Sequence, residues 1–202
     1  MISVGNDHYG RWVIWQDDPD WNIVKKAMDM RAGQYPVELK MLLEFLKSLN
    51  PSVIMEIGTH KAGTLWAMSR IIDPDGLLVS VDLPRSEINV SERCNLIQDR
   101  KVRWITSDSH HPLTVKLVED ALEGKSVDFL FIDGGHLYDS VRMDFEMYSP
   151  FVRHGGWVGF HDINPAEDPA IDVYPFWKKL KGFKIELSQY LPRNGIGIWR
   201  KD

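Results

Sequence analysis

The chain has 202 residues and a formal net charge of −5, with 44% hydrophobic and 26% charged side chains. This composition is that of an ordinary folded domain and excludes a largely disordered chain. No apolar run reaches the ~20 residues of a membrane span, no signal-peptide region opens the chain, and Cys94 alone cannot form a disulfide framework or a cysteine-built zinc site. We therefore expect one domain in a reducing, cytoplasmic setting.

The predicted elements begin after residues 1–33, a tryptophan-rich segment whose pattern predicts no particular structure. A helix is expected next, because Pro36 suits a first helical turn and leucines recur at helical spacing up to residue 49. Apolar runs of strand length then alternate with segments of helical length, which predicts a parallel sheet covered on both faces. The runs lie at 53–57, 77–81, 102–105, 127–132 and 157–160, with helices near 62–72, 86–99, 111–123 and 137–152.

The end of the chain breaks this rhythm. After a helix near 171–180, two strand-like runs at 183–187 and 196–199 are separated by a short stretch with Pro and Gly and no helix. Such a pattern predicts an antiparallel hairpin. The expected fold is therefore α/β and doubly wound (Rossmann-like), with a mainly parallel seven-stranded sheet that ends in a C-terminal antiparallel hairpin.

The carboxyl ends of the first two strands carry candidate cofactor residues, because ligands of open α/β sheets bind beyond those ends. The first strand supplies Glu56, Gly58, Thr59 and Gly63. Asp82 closes the second strand, where a carboxylate can accept hydrogen bonds from both hydroxyls of a ribose. His60 stands where the second glycine of GxGxxG would be, so a pyrophosphate would fit poorly. The alternative is a loop glycine with a solvated aspartate.

Polar residues also follow the next three strands. Ser107 and Asp108 suit an adenine edge or the cap of the following helix. Asp133 and His136 follow the fourth strand as Asp-Gly-Gly-His, and capping alone needs no histidine there. Asp162 closes the fifth strand and is expected to converge on Asp133, where two carboxylates suit Mg²⁺. A pair of caps or a hydrogen-bonded turn is the alternative.

Together these motifs resemble those of class I S-adenosylmethionine-dependent methyltransferases, through EIGTHKAGT at 56–64, Asp82 and the run 128–163. More narrowly, the chain resembles small-molecule O-methyltransferases of the cephalosporin-hydroxylase/rhamnosyl and macrolide sugar type over about residues 34–200. The resemblance implies S-adenosylmethionine as cofactor. It implies that the cofactor-binding residues are Glu56, Gly58, Thr59, Gly63, Asp82, Ser107, Asp108 and Asp133.

The resemblance also implies the chemistry of the site. Asp133 and Asp162 would bind Mg²⁺, with His161, at a position that is acidic in some relatives, as the third candidate ligand. His136 would be the base. A sugar hydroxyl is a poor nucleophile at neutral pH, and histidine has the pKa to accept its proton.

We therefore predict that residues 34–202 form a methyltransferase domain that methylates a hydroxyl of a small-molecule acceptor, a sugar or natural product. A nicotinamide-dependent oxidoreductase and a non-catalytic cofactor-binding protein stay open as alternatives. The acidity and the lack of a basic stripe disfavour nucleic acid as a partner, no membrane partner is expected, and homo-oligomerisation is open. In residues 1–33, Trp12, Trp15 and Trp21 are candidates for an acceptor-site lid or a subunit contact.

Overall fold

The computed structural model describes residues 18–84, 94–187 and 194–202, together with the backbone of 2–6 and 12–16. The first four elements are two strands and two helices: β1 (Ile2–Asn6), β2 (Trp12–Gln16), α1 (Pro19–Asp29) and α2 (Pro36–Leu49). The alternating part follows as β3 (Val53–Ile57), α3 (Gly63–Ser69), β4 (Leu77–Asp82), β5 (Lys101–Thr106), α4 (Pro112–Leu122), β6 (Val127–Ile132), α5 (Tyr138–Tyr148) and β7 (Val152–Phe160). The chain closes with α6 (Val173–Lys179), β8 (Lys184–Glu186) and β9 (Gly197–Arg200).

A seven-stranded sheet in the order β5-β4-β3-β6-β7-β9-β8 forms the centre of the fold. The first five strands in this order run parallel, while β9 is antiparallel to both β7 and β8. The predicted mainly parallel sheet with a C-terminal antiparallel hairpin is therefore confirmed. The strand order reverses between β3 and β6, and this switch point opens a crevice at the carboxyl ends of the strands.

Apolar side chains bury the sheet on both faces. One core lies against α1, α2 and α3 and includes the buried leucines that predicted α2, Leu39, Leu42, Leu43 and Leu46. The other lies against α4, α5 and α6. Every residue of β3 is buried, as expected for a central parallel strand that is covered on both sides.

The N-terminal region joins this fold through α1, which contacts α2 and α3. Trp21, on α1, is only 7% exposed and belongs to the core, so its expected role in a lid or subunit contact is corrected. Trp12 and Trp15 lie in β2, whose side chains are outside the described part of the chain, as is most of the helix expected near 86–99. In the ranges that are described, no helix combines the length and apolar character needed to cross a membrane.

Candidate active site

A cavity of about 680 Å³ lies at the carboxyl ends of the parallel strands. All the site residues predicted from sequence except Glu56 line this cavity: Gly58, Thr59, Gly63, Asp82, Ser107, Asp108, Asp133, His136, His161 and Asp162. Glu56 is buried within β3. The alternation of strands and helices predicts that these side chains meet, because residues that follow parallel strands share one edge of the sheet.

The turn after β3 is pressed against the end of β6. Gly58 has φ +89°, in the left-handed region, and a Cβ at this position would lie 2.0 Å from the carbonyl oxygen of Asp133. A Cβ on Gly63 would lie 2.6 Å from the backbone nitrogen of Ala32, in the loop between α1 and α2. Both glycines therefore permit contacts that a side chain would block, and they bring the turn close to Asp133.

The residues after β4 and β5 form the other end of the cavity. Asp82 is buried, and its carbonyl oxygen accepts a hydrogen bond from the backbone nitrogen of Ser107 (2.9 Å). The carboxylate of Asp108 accepts from the backbone nitrogen of His110 (2.9 Å), which forms a local turn. The N-cap of α4 is His111, whose Nδ1 accepts from Leu113. Ser107 and Asp108 therefore line the cavity without serving as that N-cap residue.

Asp133 is held by two hydrogen bonds. Its Oδ1 lies 3.0 Å from Nδ1 of His161, and Nε2 of Gln34 donates to its Oδ2 (2.6 Å). The other ring nitrogen of His161, Nε2, lies 3.0 Å from Oε1 of the buried Glu38. Because ionised carboxylates only accept hydrogen bonds, an imidazolium that donates from both nitrogens satisfies this arrangement.

The charge of His161 agrees with its surroundings. Burial disfavours the charged ring, but the carboxylates of Asp133, Asp162 and Glu38 outweigh burial and raise the pKa of His161 well above its ordinary value. Sequence reasoning missed Glu38 and Gln34. A signal for Glu38 existed, since it lies four residues before Leu42 on the apolar face of α2, where an unpaired carboxylate would be costly.

His136 and Asp162 form a second pair. Nδ1 of His136 lies 2.7 Å from Oδ2 of Asp162. This hydrogen bond is the largest influence on the pKa of His136, which is raised above its ordinary value although partial burial opposes the charge. Burial would raise the pKa of Asp162, but His161 and His136 outweigh it and lower that pKa. Within 18–84, 94–187 and 194–202, no residue engages Nε2 of His136, so this atom is available to a ligand.

Asp133, His136 and Asp162 could hold a metal ion, since one donor atom from each lies within 4.8 Å of the others. The two predicted carboxylates are therefore brought together. The third donor beside them is His136, whereas both nitrogens of His161 face the carboxylates of Asp133 and Glu38. His161 as a third metal ligand therefore stays a prediction.

A further titratable pair, missed from sequence, lies behind the cavity wall. Asp144 on α5 is fully buried, and Nε2 of His110, which lines the cavity, lies 3.2 Å from its Oδ1. Burial raises the pKa of Asp144 to about 6, although Ser109 and His110 oppose the shift. The amphipathic pattern of α5 gave no sign of this carboxylate's partner, because His110 precedes it by a strand and a helix.

Known proteins resemble this chain in sequence and in fold. A family model described as a methyltransferase domain matches residues 55–163. An uncharacterized protein of Sinorhizobium fredii is 33% identical over 164 residues, in a match that covers 77% of this chain and 18% of that protein. A caffeoyl-CoA O-methyltransferase of Stellaria longipes is 30% identical over 105 residues, in a match that covers 50% of this chain and 42% of that enzyme. The matched part therefore spans less than half the length of either relative.

Among solved structures, the O-methyltransferase TomG of Streptomyces achromogenes, which is involved in tomaymycin synthesis and was crystallised with S-adenosylmethionine, superimposes with a TM-score of 0.68. The match covers 93% of this chain and 92% of TomG at 16% sequence identity. At this level of identity the likeness is one of fold.

Proposed function

The chain belongs to the family of methyltransferase domains, and on that premise we propose that it transfers a methyl group from S-adenosylmethionine to a hydroxyl oxygen of a small molecule. The observation that carries the proposal is the pair of His136 and Asp162, 2.7 Å apart, at a cavity wall that also holds Asp82 and Asp133. The bound S-adenosylmethionine seen with TomG and the name of the Stellaria relative support the choice of cofactor and of oxygen as the acceptor atom.

The cavity suits this cofactor. Its volume of about 680 Å³ lies within the ~300–1,000 Å³ typical of small-molecule sites. Asp82 would accept hydrogen bonds from the ribose hydroxyls, and Ser107 with Asp108 would meet the adenine. Gly58 lets the turn lie directly against Asp133 at the cavity wall, and the aspartates of the wall would attract a cationic sulfonium.

The proposed mechanism depends on His136. When bound, the cofactor supplies an electrophilic methyl group on its sulfonium sulfur. Nε2 of His136 accepts the proton of the acceptor hydroxyl as that oxygen attacks, while Nδ1 of the ring stays bonded to Asp162. The carboxylate fixes the tautomer and direction of the ring and stabilises the imidazolium that forms. Asp133, fixed by Gln34 and His161, borders the same space.

Mg²⁺ is the second part of the proposal. Asp133 and Asp162 would hold it through carboxylate oxygens, which keep acceptor capacity beyond their present hydrogen bonds, while His136 stays the base. A divalent ion there would lower the pKa of the acceptor hydroxyl and fix its direction. Activity that is unchanged by EDTA would remove the metal from the mechanism.

The acceptor class is proposed to be a sugar or natural-product hydroxyl. Purified protein with methyl-labelled S-adenosylmethionine would be screened against sugar, phenolic and macrolide hydroxyls. In His136→Ala, turnover should fall ~10²–10⁴-fold, the usual size of a general-base contribution, while affinity for S-adenosylhomocysteine stays within about twofold. His154→Ala, an exposed histidine in β7 outside the cavity lining, is the matched control. Full turnover in His136→Ala contradicts the base, and NAD bound to the purified protein would instead support the oxidoreductase.

A further inference from the structure

Arg31 lies at the rim of the cavity, in the loop that joins α1 to α2. This loop packs against the start of α3, because a Cβ on Gly63 would meet the backbone nitrogen of Ala32 at 2.6 Å. Gly63 ends the turn that begins at Gly58, after β3. Arg31 is therefore placed next to the turn that is expected to hold the methionine part of the cofactor.

The backbone at Arg31 gives no reason for an arginine. Its φ is +63°, in the left-handed region, and its backbone nitrogen donates to the carbonyl oxygen of Met28 (2.9 Å) at the end of α1. Glycine is the residue that usually occupies such a position after a helix, because it has no Cβ to strain the turn. The long cationic side chain thus stands where the backbone favours none, a placement typical of functional positions.

The charge around Arg31 is unbalanced. It is the one lysine or arginine among the described residues that line the cavity, whose acidic members are Asp82, Asp108, Asp133 and Asp162. Arg31 is exposed, and none of the carboxylates in the described ranges pairs with it. An exposed guanidinium can bind an oxyanion through two parallel hydrogen bonds when no carboxylate already pairs with it. Arg31 meets this condition at the rim of the cavity.

We propose that Arg31 is the oxyanion-binding residue of this cavity and that it binds a carboxylate or phosphate of the ligand. The proposal rests on the proposed function and goes further by assigning a recognition residue outside the motifs that follow the strands. Two sources could supply the oxyanion, the amino-acid carboxylate of the cofactor and an anionic group of the acceptor. The position of Arg31 beside the Gly58–Gly63 turn favours the cofactor carboxylate.

Two ligands that differ in the carboxylate test the proposal. S-Adenosylhomocysteine carries the amino-acid group, whereas 5′-methylthioadenosine keeps the adenosine and thioether but lacks it. Measured by calorimetry, the affinity of Arg31→Ala for S-adenosylhomocysteine should fall at least tenfold, while its affinity for 5′-methylthioadenosine should stay within twofold of wild type. The affinity of Arg31→Lys for S-adenosylhomocysteine should lie between those of wild type and Arg31→Ala. Lys25→Ala, an exposed cation on α1 that does not line the cavity, should change neither affinity.

Phosphate binding distinguishes the two sources of the oxyanion. Arg31→Ala could instead keep its affinity for S-adenosylhomocysteine and lose the binding of inorganic phosphate that the wild-type complex with S-adenosylhomocysteine shows. The oxyanion bound by Arg31 then belongs to the acceptor. Unchanged binding of both probes overturns the proposal. So does an equal loss for both nucleosides, because a structural defect does not distinguish them. A wild-type protein that fails to bind S-adenosylhomocysteine at all contradicts the proposed function itself, a result separate from any effect of Arg31.

Discussion

Glu38 and His161 lie 123 positions apart in the chain and meet in the interior, with Oε1 of the glutamate 3.0 Å from Nε2 of the imidazole. The same carboxylate accepts hydrogen bonds from the backbone nitrogens of Tyr35 (2.6 Å) and Gly195 (2.9 Å). Glu38 therefore ties the start of α2, the residue after β7 and the stretch before β9 to one buried charge. Through His161, this charge is linked to Asp133 at the cavity wall.

Removal of this carboxylate should strongly destabilise the protein. In Glu38→Ala, the buried imidazolium of His161 loses a partner and two backbone N–H groups lose their acceptor. Breaking a buried ion pair from one side costs ~3–5 kcal/mol, so the free energy of unfolding should fall by about that amount. Urea unfolding followed by circular dichroism at pH 7 measures it.

The matched control is Glu44→Ala on the same helix. Glu44 pairs with Lys40 at the surface, and an exposed pair of this kind contributes ~0.3–0.5 kcal/mol. The urea midpoint of Glu44→Ala should therefore stay close to that of the wild type. Equal midpoints for the two variants would show that the buried network contributes no more than a surface pair.

Gly58→Ala should be far more damaging than Gly124→Ala. Both glycines have positive φ, +89° and +78°, so alanine at either position incurs the left-handed strain of ~1–2 kcal/mol. At Gly58 the new Cβ would also lie 2.0 Å from the carbonyl oxygen of Asp133, whereas nothing lies within 4 Å at Gly124. The difference in stability and affinity between Gly58→Ala and Gly124→Ala therefore measures the effect of the close contact between the turn and the end of β6.

Thermal unfolding and binding of S-adenosylhomocysteine provide the readouts for this pair. Gly124→Ala should bind like the wild type and lose a few degrees of melting temperature. Gly58→Ala should lose at least tenfold in affinity, because Asp133 and the turn must move apart. Similar affinities in both variants would mean that close packing of the turn is unimportant for the cavity.

Local pattern was sufficient to predict the sheet and the residues that meet at the carboxyl ends of its strands. Central strands such as β3 are buried on both faces, so they appear in sequence as continuous apolar runs. Parallel connections place the residues that follow each strand at one edge of the sheet, so the sequence predicts that Asp82, Asp133 and Asp162 lie there, and all three line the cavity. No detailed packing was needed for this part of the prediction.

The buried partners of those residues could not be predicted in the same way. Gln34 and Asp133 are 99 positions apart, and only the packing of the loop before α2 over the strand ends brings them together. The roles of His136 and His161 depend on which carboxylate each ring faces, and spacing in sequence does not determine that orientation. For α1, by contrast, a usable signal was present, because Asp18 caps the helix and Pro19 occupies its first turn.

The stability of the protein should depend on pH through Asp144. Burial raises the pKa of this carboxyl to about 6 in the folded state, against ~3.9 in an unfolded chain. Between these values the folded state holds a proton that the unfolded state releases, so the contribution of Asp144 to stability falls as pH rises from ~4 to ~6. Asparagine at this position is neutral at every pH. The free energy of unfolding of Asp144→Asn should therefore exceed that of wild type by on the order of 1–3 kcal/mol at pH 7.5 and by little at pH 4.5.

Urea unfolding of both proteins at pH 4.5 and 7.5 tests this dependence, and the difference between them cancels the titration of all other groups. Asp139→Asn, an exposed carboxylate on the same helix, controls for the loss of one negative charge. A gain for Asp144→Asn that is the same at both pH values would show that the buried carboxyl is ionised throughout the range.

The rate of methyl transfer should depend on pH through His136. His136 must be neutral to accept a proton, and its hydrogen bond to Asp162 raises its pKa above the ordinary value of 6.5. In the wild type, kcat/KM should therefore increase with pH along a limb whose midpoint lies above 6.5. In Asp162→Asn the hydrogen bond to a charged partner is lost, so the midpoint should move to lower pH while kcat falls at least tenfold, because the ring loses its orientation.

Asp75→Asn provides the control, since this exposed carboxylate precedes β4 at the opposite edge of the sheet and should leave both the limb and kcat unchanged. Profiles of kcat/KM and kcat from pH 5 to 9, recorded with labelled cofactor over acceptor concentrations from below KM to saturation, separate the shift of the limb from the fall in kcat. A limb that keeps its position in Asp162→Asn would show that a group other than His136 takes the proton. If the limb moves in Asp162→Asn and is absent in His136→Ala, the proton is accepted by the imidazole of His136. Asp162 then sets the pKa of that imidazole.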